Sequence, residues 1–130
     1  MLIKKIIVLL VIIASLFAFA TKVIAEPLEI DSSQNIKVYA FEKVLDRWSD
    51  EQWSYFNDLI KRESRWNSEA KNSRSTAYGL GQFLNSTWEI VGCKKTDNQY
   101  KQIDCTIEYI SKVYGTPQNA IKFHNKNNYY

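Results

Sequence analysis

The feature of this sequence that most restricts its fold is an apolar stripe at helical spacing that ends in an acid. Trp53, Phe56, Ile60 and Glu63 follow one another at steps of three, four and three residues. These steps place the side chains on one face of a helix, with Glu63 at the end of the buried face. Burial of an unpaired ionised carboxylate is costly, so Glu63 either has a partner or is held as the neutral acid.

The first part of the chain is typical of an export signal. Lys4 and Lys5 precede an apolar run of about fifteen residues, IIVLLVIIASLFAFA, which is short for a transmembrane helix and suits a secretory signal core. Small residues allow cleavage after Ala20 or Ala25, and we favour Ala25 because a polar segment follows it. The sequence therefore predicts a signal peptide over residues 1–25, with an uncleaved N-terminal anchor as the alternative.

Removal of this signal leaves a chain that is close to neutral and rich in aromatic residues. Three of the 17 basic residues and none of the 14 acidic ones lie in the signal, so 14 of each sign remain. This balance argues against nucleic-acid binding, which needs a basic face to displace phosphate counterions. All four Trp, all eight Tyr and four of the six Phe follow the signal. Some of these rings must form the core, and an exported domain of this composition suits a polysaccharide ligand.

The remaining pattern predicts helices and almost no strand. Residues 26–38 are polar and predict an irregular tether before a domain over residues 39–130. Apolar residues at helical spacing then predict a first helix up to Trp48, with a stripe made of Val38, Phe41, Val44 or Leu45, and Trp48. Asp50 is the predicted cap of the helix that carries Glu63.

Three more helices are predicted after an aperiodic loop of about fifteen residues, a length that is usually functional in a small domain. Ser86 and Glu89 form the pattern of a capping box for a short helix that Gly92 ends. A longer helix is predicted over residues 97–114, and Thr116 with Pro117 starts a last helix through Phe123.

The two cysteines, Cys93 and Cys105, both lie in the exported part. An even number in an oxidising compartment favours a disulfide, which would stabilise the fold by roughly 3 kcal/mol; two free thiols are the alternative. A zinc site is not supported, because His124 is the only histidine and is remote from both cysteines.

The helix that ends in Glu63-Ser64, the following RWN, the small polar loop and the segment STAYGLGQF resemble the catalytic core of the lytic transglycosylase family. The resemblance covers roughly residues 48–130 and is most specific between Glu63 and Trp88. It implies a mainly α, lysozyme-like fold of the goose type, as one small helical domain. It also implies a peptidoglycan substrate, no cofactor and no metal, in a subgroup of secreted and phage-tail proteins. The expected location is the periplasm, the cell wall or the extracellular space.

The resemblance also implies a mechanism with one carboxyl group. Glu63 would act as acid and then as base while the muramyl 6-hydroxyl attacks within the substrate, so that the MurNAc–GlcNAc β-1,4 bond breaks and a 1,6-anhydro-muramyl end forms. Most glycosidases use a second carboxylate, and the only one that the loop offers is Glu69. A lysozyme-type hydrolase and a non-catalytic wall-binding module of the same fold are the alternative functions.

Further site residues follow from the same motifs. Ser64 is predicted either to hold the muramyl unit or to cap its helix, and Gln82 is predicted to line the cleft. Tyr78 is predicted either to stack on sugar or to pack in the core, and Tyr109 matches a family tyrosine near the acid. His124 is expected to be a surface or packing residue. Three departures from the family pattern are Ser68, Thr76 and the C-terminal FHNKNNYY, which replaces a common Ala-Tyr-Asn-Ala-Gly segment at the end of the cleft.

Overall fold

The computed structural model of this chain divides into two units, residues 1–30 and 31–130. It describes Ile3, Ile6 and Ile7, which are helical, and residues 32–130. The predicted signal peptide and its cleavage sites therefore fall almost wholly outside the described residues. Within the described part, no helix is long and apolar enough to span a membrane.

Residues 32–130 form a helical unit, as the sequence predicts. The β-structure of this part consists of two isolated bridges, Lys71 with Tyr78 and Tyr78 with Phe83. The mainly α, lysozyme-like fold class is confirmed. The helices of this part are α1 (Ser32–Arg47), α2 (Glu51–Ser64), α3 (Asn85–Ile90), α4 (Gln99–Val113) and α5 (Pro117–Asn127).

Helix α1 begins earlier than predicted, and part of its predicted apolar stripe is exposed. Residues 32–38, predicted to belong to an irregular tether, are helical. Ile36, Ala40 and Val44 recur every four residues and are fully buried. The predicted stripe was correct at Val44 and at Trp48, which packs against the core, and wrong at Val38 and Phe41, because it followed the larger side chains and passed over Ala40. Three of the residues expected on that stripe are between 37% and 55% exposed: Val38, Phe41 and Leu45.

The core lies where α2 packs against α5 and α1 packs against α4. Helix α2 contributes Phe56, Leu59 and Ile60, all fully buried, so the apolar stripe of the sequence does face the interior. Polar contacts at the edge of the α1–α4 contact fix its register, since Tyr39 donates a hydrogen bond of 2.8 Å to Asp104. The other helices complete the core with Ile103, Ile107, Ile110, Ala120 and Ile121.

The helix ends agree with the sequence in part. Thr116 caps α5 and Pro117 occupies its first turn as predicted, although the helix continues beyond Phe123 to Asn127. The capping box at Ser86 was wrong, because Leu84 occupies the cap position of α3 and makes no side-chain cap. The backbone N–H of Asn85 instead donates to Thr76 Oγ1 at 3.1 Å, which ties the start of α3 to the preceding loop.

The predicted disulfide between Cys93 and Cys105 is confirmed. It links the segment after α3 to helix α4, beside a second apolar cluster that contains Phe83, Trp88 and Val91. This small cluster anchors α3 and the end of the long loop to the helical core.

Candidate active site

A groove of about 330 Å³ lies at the end of α2. One wall is the loop between α2 and α3, and the other is the C-terminal segment after α5. The groove combines one acid, several amide and hydroxyl groups and three aromatic rings, a mixture that suits a sugar chain. Its lining comprises Glu63, Asn72, Ser75, Ala77, residues 81–84, Thr87, Asn128, Tyr129 and Tyr130.

Glu63 is the acid in this groove, and it is shielded from water. Its side chain is 15% exposed. Burial raises the pKa of its carboxyl from the ordinary 4.5 to about 7. An acid with such a pKa holds its proton at mildly acidic to neutral pH and can deliver it to a bound group.

The position of Glu63 on α2 favours the protonated form as well. It lies in the last turn of the helix, where the partial negative charge of the helix dipole opposes ionisation. Arg65 ends the helix with φ of 54°, and its backbone N–H donates to Lys61 O. The neighbouring Arg62 forms an ion pair of 2.7 Å with Asp58.

His124 contacts this acid, which the sequence did not indicate. Its Nε2 lies 3.0 Å from Glu63 Oε1, and each of the two side chains is 15% exposed. Oε1 is buried and receives no well-aligned hydrogen bond from the described residues. His124 was expected to be a surface or packing residue, and the surface alternative was wrong. Helix α5 packs on α2 and brings the imidazole to the carboxyl.

The loop that forms one wall is held by Gln102, a second residue that sequence reasoning missed. This side chain of α4 is 1% exposed. Its Oε1 accepts from Leu80 N at 2.9 Å, and its Nε2 donates to Ser68 O at 2.9 Å and to Thr96 O at 2.8 Å. Gly79 has a φ of +80°, and a Cβ there would lie 2.7 Å from Gln102 Oε1, so glycine permits the close approach.

Gln82 lines the groove as predicted. It has a φ of 50°, a left-handed conformation that is uncommon outside glycine. Its Nε2 donates at 3.0 Å to Ala70 O and at 3.0 Å to Gly79 O, which closes the loop on itself. The amide oxygen is thereby left as the group of this side chain that can accept a hydrogen bond from a ligand.

The other predicted substrate-binding residues lie outside the groove lining, and their roles in binding stay predictions. Ser64 is buried, and its hydroxyl donates to Ile60 O at 3.2 Å, as in the capping alternative. The Tyr78 hydroxyl donates to Asp97 Oδ1 at 2.5 Å, in a neighbouring depression that also includes Lys71 and Lys95. Tyr109 packs against Phe83 and Tyr130, with ring centroids 5.1 and 5.7 Å apart.

The C-terminal segment turns into the groove directly after α5. Asn128 ends the helix with φ of 62°, and its backbone N–H donates to His124 O. Tyr130 then packs against Tyr109 and donates a hydrogen bond of 3.1 Å to Gly81 O. These contacts tie the segment to the loop of the opposite wall.

The charged residues of the loop do not add a second acid to the groove. Glu69 is exposed and is absent from the groove lining. Among the described residues, Glu63 is the only one with a carboxyl side chain that lines the groove. The described part of the chain also contains no cluster of His, Cys, Asp or Glu side chains that could hold a metal ion.

A larger depression of about 540 Å³ lies next to Lys37, Arg65 and Trp66. Its acid, Asp58, is ion-paired with Arg62 and about half exposed, unlike the shielded Glu63 of the groove. The chemistry therefore points to the smaller groove as the active site.

Comparison with protein families gives a match to the transglycosylase SLT domain over residues 41–124. No curated protein matches the chain, and no solved structure does. The matched range includes Glu63, the loop, and His124 at its end, whereas the groove residues Asn128 and Tyr130 lie beyond it. Because the match spans most of the chain, this protein belongs to the transglycosylase SLT domain family and is a peptidoglycan lytic transglycosylase.

Proposed function

We propose that this protein is an exported enzyme that cleaves the MurNAc–GlcNAc β-1,4 bond of peptidoglycan with Glu63 as its one catalytic carboxyl group, and that it leaves 1,6-anhydro-muramyl ends. The observation that carries the proposal is the isolation of Glu63 in the groove. It is shielded, its pKa is raised to about 7, and no other carboxyl side chain among the described residues lines the groove.

The reaction begins with the transfer of a proton from Glu63 to the glycosidic oxygen. The bond between this oxygen and the muramyl C1 breaks, and the GlcNAc unit leaves with a free 4-hydroxyl. The muramyl 6-hydroxyl attacks C1, and its proton passes to the Glu63 carboxylate. The acid is restored, no water is consumed, and one Glu acts first as acid and then as base.

The groove supplies groups to hold the sugar during these steps. Asn72, Ser75, Thr87 and the Gln82 amide oxygen offer hydrogen bonds to hydroxyl and N-acetyl groups. The rings of Phe83 and Tyr129 offer apolar surface to sugar faces. Orientation by these groups brings the 6-hydroxyl to C1, where an intramolecular attack has a large advantage over water.

The test is to digest purified peptidoglycan with the protein and to identify the released ends by mass spectrometry. Anhydro-muramyl ends support the proposal. Hydrated reducing ends indicate a lysozyme-type hydrolase, and binding without release indicates a wall-binding module.

Glu69→Gln is expected to leave the product type unchanged and to reduce the rate by less than about tenfold, which is under ~1.4 kcal/mol in the barrier. The physical reason is that a second catalytic carboxylate must be fixed roughly 5–9.5 Å from the first across the scissile bond. Glu69 is instead exposed outside the groove. Rates on peptidoglycan, with Glu89→Gln as the matched exposed control, check this. A loss as large as that of Glu63→Gln, in a folded protein, would identify Glu69 as a second acid.

Export of the protein forms a separate part of the proposal, supported by the lysines and apolar run at the start of the sequence. N-terminal sequencing of protein from the periplasm or the medium is expected to begin at Glu26, after cleavage at Ala25. A start at Thr21 would move the cleavage to Ala20. Recovery of the uncleaved chain in the membrane fraction would favour the N-terminal anchor instead.

A further inference from the structure

The contact between His124 and Glu63 joins two shielded titratable groups from different helices. Nε2 of His124, on α5, lies 3.0 Å from Oε1 of Glu63, at the end of α2. Oε1 is buried, and its hydrogen-bonding capacity is not met by a well-aligned donor in the described part of the chain. The Glu63 side chain nevertheless lines the groove and is 15% exposed, which leaves Oε2 as the oxygen that can face the groove.

We propose that His124 is a positioning residue for Glu63: its Nε2–H donates to Oε1, which places the acidic proton on the other oxygen, Oε2, toward the substrate. This inference rests on the proposed role of Glu63. The same donor serves both states of the acid, because Oε1 is an acceptor in the neutral carboxyl and in the carboxylate. His124 keeps its own proton throughout. The travelling proton leaves Oε2 for the glycosidic oxygen and returns to Oε2 from the 6-hydroxyl.

The hydrogen bond becomes stronger as the reaction proceeds. Loss of the proton puts negative charge on a carboxyl group that is largely shielded from water, and a donor only 3.0 Å away stabilises that charge after a small reorientation of the imidazole. Interactions that strengthen toward the transition state raise kcat more than they lower KM. A buried Oε1 without a donor would carry the full cost of its missing hydrogen bond in that state.

The charges around His124 favour the neutral imidazole that this role requires. Burial, followed by the nearby Arg62 guanidinium, lowers the pKa of His124, while Asp58 acts in the opposite direction. Arg62 is held in place by Asp58 at 2.7 Å and by Asn125 Oδ1 at 2.6 Å. A cationic histidine would stabilise the carboxylate form of Glu63. By favouring the neutral imidazole, the fixed Arg62 helps to keep Glu63 protonated.

Substitution of His124 tests the proposal through kinetics and through the titration of Glu63. His124→Leu removes the donor and is expected to lower kcat about 10- to 100-fold, with KM changed less than about threefold. The alkaline limb of the kcat profile should move to higher pH, since the carboxylate loses a stabilising bond. His124→Gln, which can place an amide N–H near the position of Nε2, should restore most of kcat, whereas the shorter His124→Asn should not.

A titration that needs no turnover separates this inference from the proposed function. The ¹³C resonance of the Glu63 carboxyl is expected to titrate at higher pH in His124→Leu than in the parent protein. Lys126→Leu, on the exposed side of the same helix, is the control and should change neither rate nor titration. An unchanged Glu63 titration, or equal rates for the Gln and Asn variants, would overturn the proposal even if the parent cleaves peptidoglycan. If the Leu variant does not fold, the comparison of Gln with Asn decides.

Discussion

Glu63→Gln is expected to keep the fold and the binding of glycan strands but to lose at least the ~10²–10⁴-fold in kcat that a positioned general acid supplies. The amide has nearly the same shape, so the groove is preserved. It has no proton to give to the glycosidic oxygen, and the groove lining offers no other carboxyl side chain among the described residues. Release of soluble muropeptides and pull-down on insoluble peptidoglycan measure the two properties separately.

The control for this variant is Glu42→Gln, the same change at an exposed position of α1, which should leave the rate unchanged. Near-parental release by Glu63→Gln would contradict the assignment of the acid. Loss of both release and binding would show that Glu63 mainly holds substrate.

The same variant also has an expected effect on stability. Glu63 has a pKa of about 7 in the folded protein and an ordinary value of 4.5 when exposed, so the native state binds the additional proton between these pH values. Its contribution is fully present below pH 4.5 and is lost as the pH rises through 7. The free energy of unfolding of Glu63→Gln should therefore equal that of the parent below pH 4.5 and exceed it above neutrality by up to about 3 kcal/mol. Urea unfolding of both proteins across this range measures the difference.

Gln102→Leu is expected to lower the free energy of unfolding by about 3–5 kcal/mol, because it leaves one buried and two partly buried backbone groups without partners. Three contacts are lost at once, to Leu80 N, Ser68 O and Thr96 O. The leucine also cannot hold the loop that forms one wall of the groove. We therefore expect activity to fall even under conditions where the variant is still folded.

Urea unfolding and activity below the unfolding transition check this expectation. Gln99→Leu is the matched control, since it is the same substitution in the first turn of α4 and it should change stability by less than about 0.5 kcal/mol. A Gln102→Leu protein with parental stability would mean that water or a rearranged loop satisfies the same backbone groups.

The sequence predicted those parts of the molecule that depend on local pattern. The stripe of α2 and its terminal acid follow from periodicity, because Phe56 and Ile60 face the core whatever packs against them. The caps at Asp50 and Thr116 are equally local, and the pairing of the cysteines follows from there being only two. The stripe of helix α1 was misassigned at Val38 and Phe41 because side-chain size was taken as the guide to burial, whereas the small Ala40 lies on the buried face.

The parts that escaped prediction depend on contacts between distant segments. His124 reaches Glu63 only because α5 packs on α2, and a lone histidine on a short helix has no periodic signal of its own. The difference between FHNKNNYY and the family pattern indicated that this segment is unusual. It did not indicate that His124 contacts the Glu63 carboxyl. Gln102 was missed for a similar reason, since a polar residue on an amphipathic helix is ordinarily expected to face solvent.

The position of Tyr130 has a practical consequence for work with this protein. Its ring packs on Tyr109 and its hydroxyl donates a hydrogen bond to Gly81 O, so this tyrosine forms part of the groove wall. Any affinity tag, fluorophore or fusion partner joined directly after it would start beside the groove, where we expect it to obstruct the glycan strands proposed to bind there. A purification handle is better attached at the N-terminal side of α1, where Gln34 is exposed to solvent.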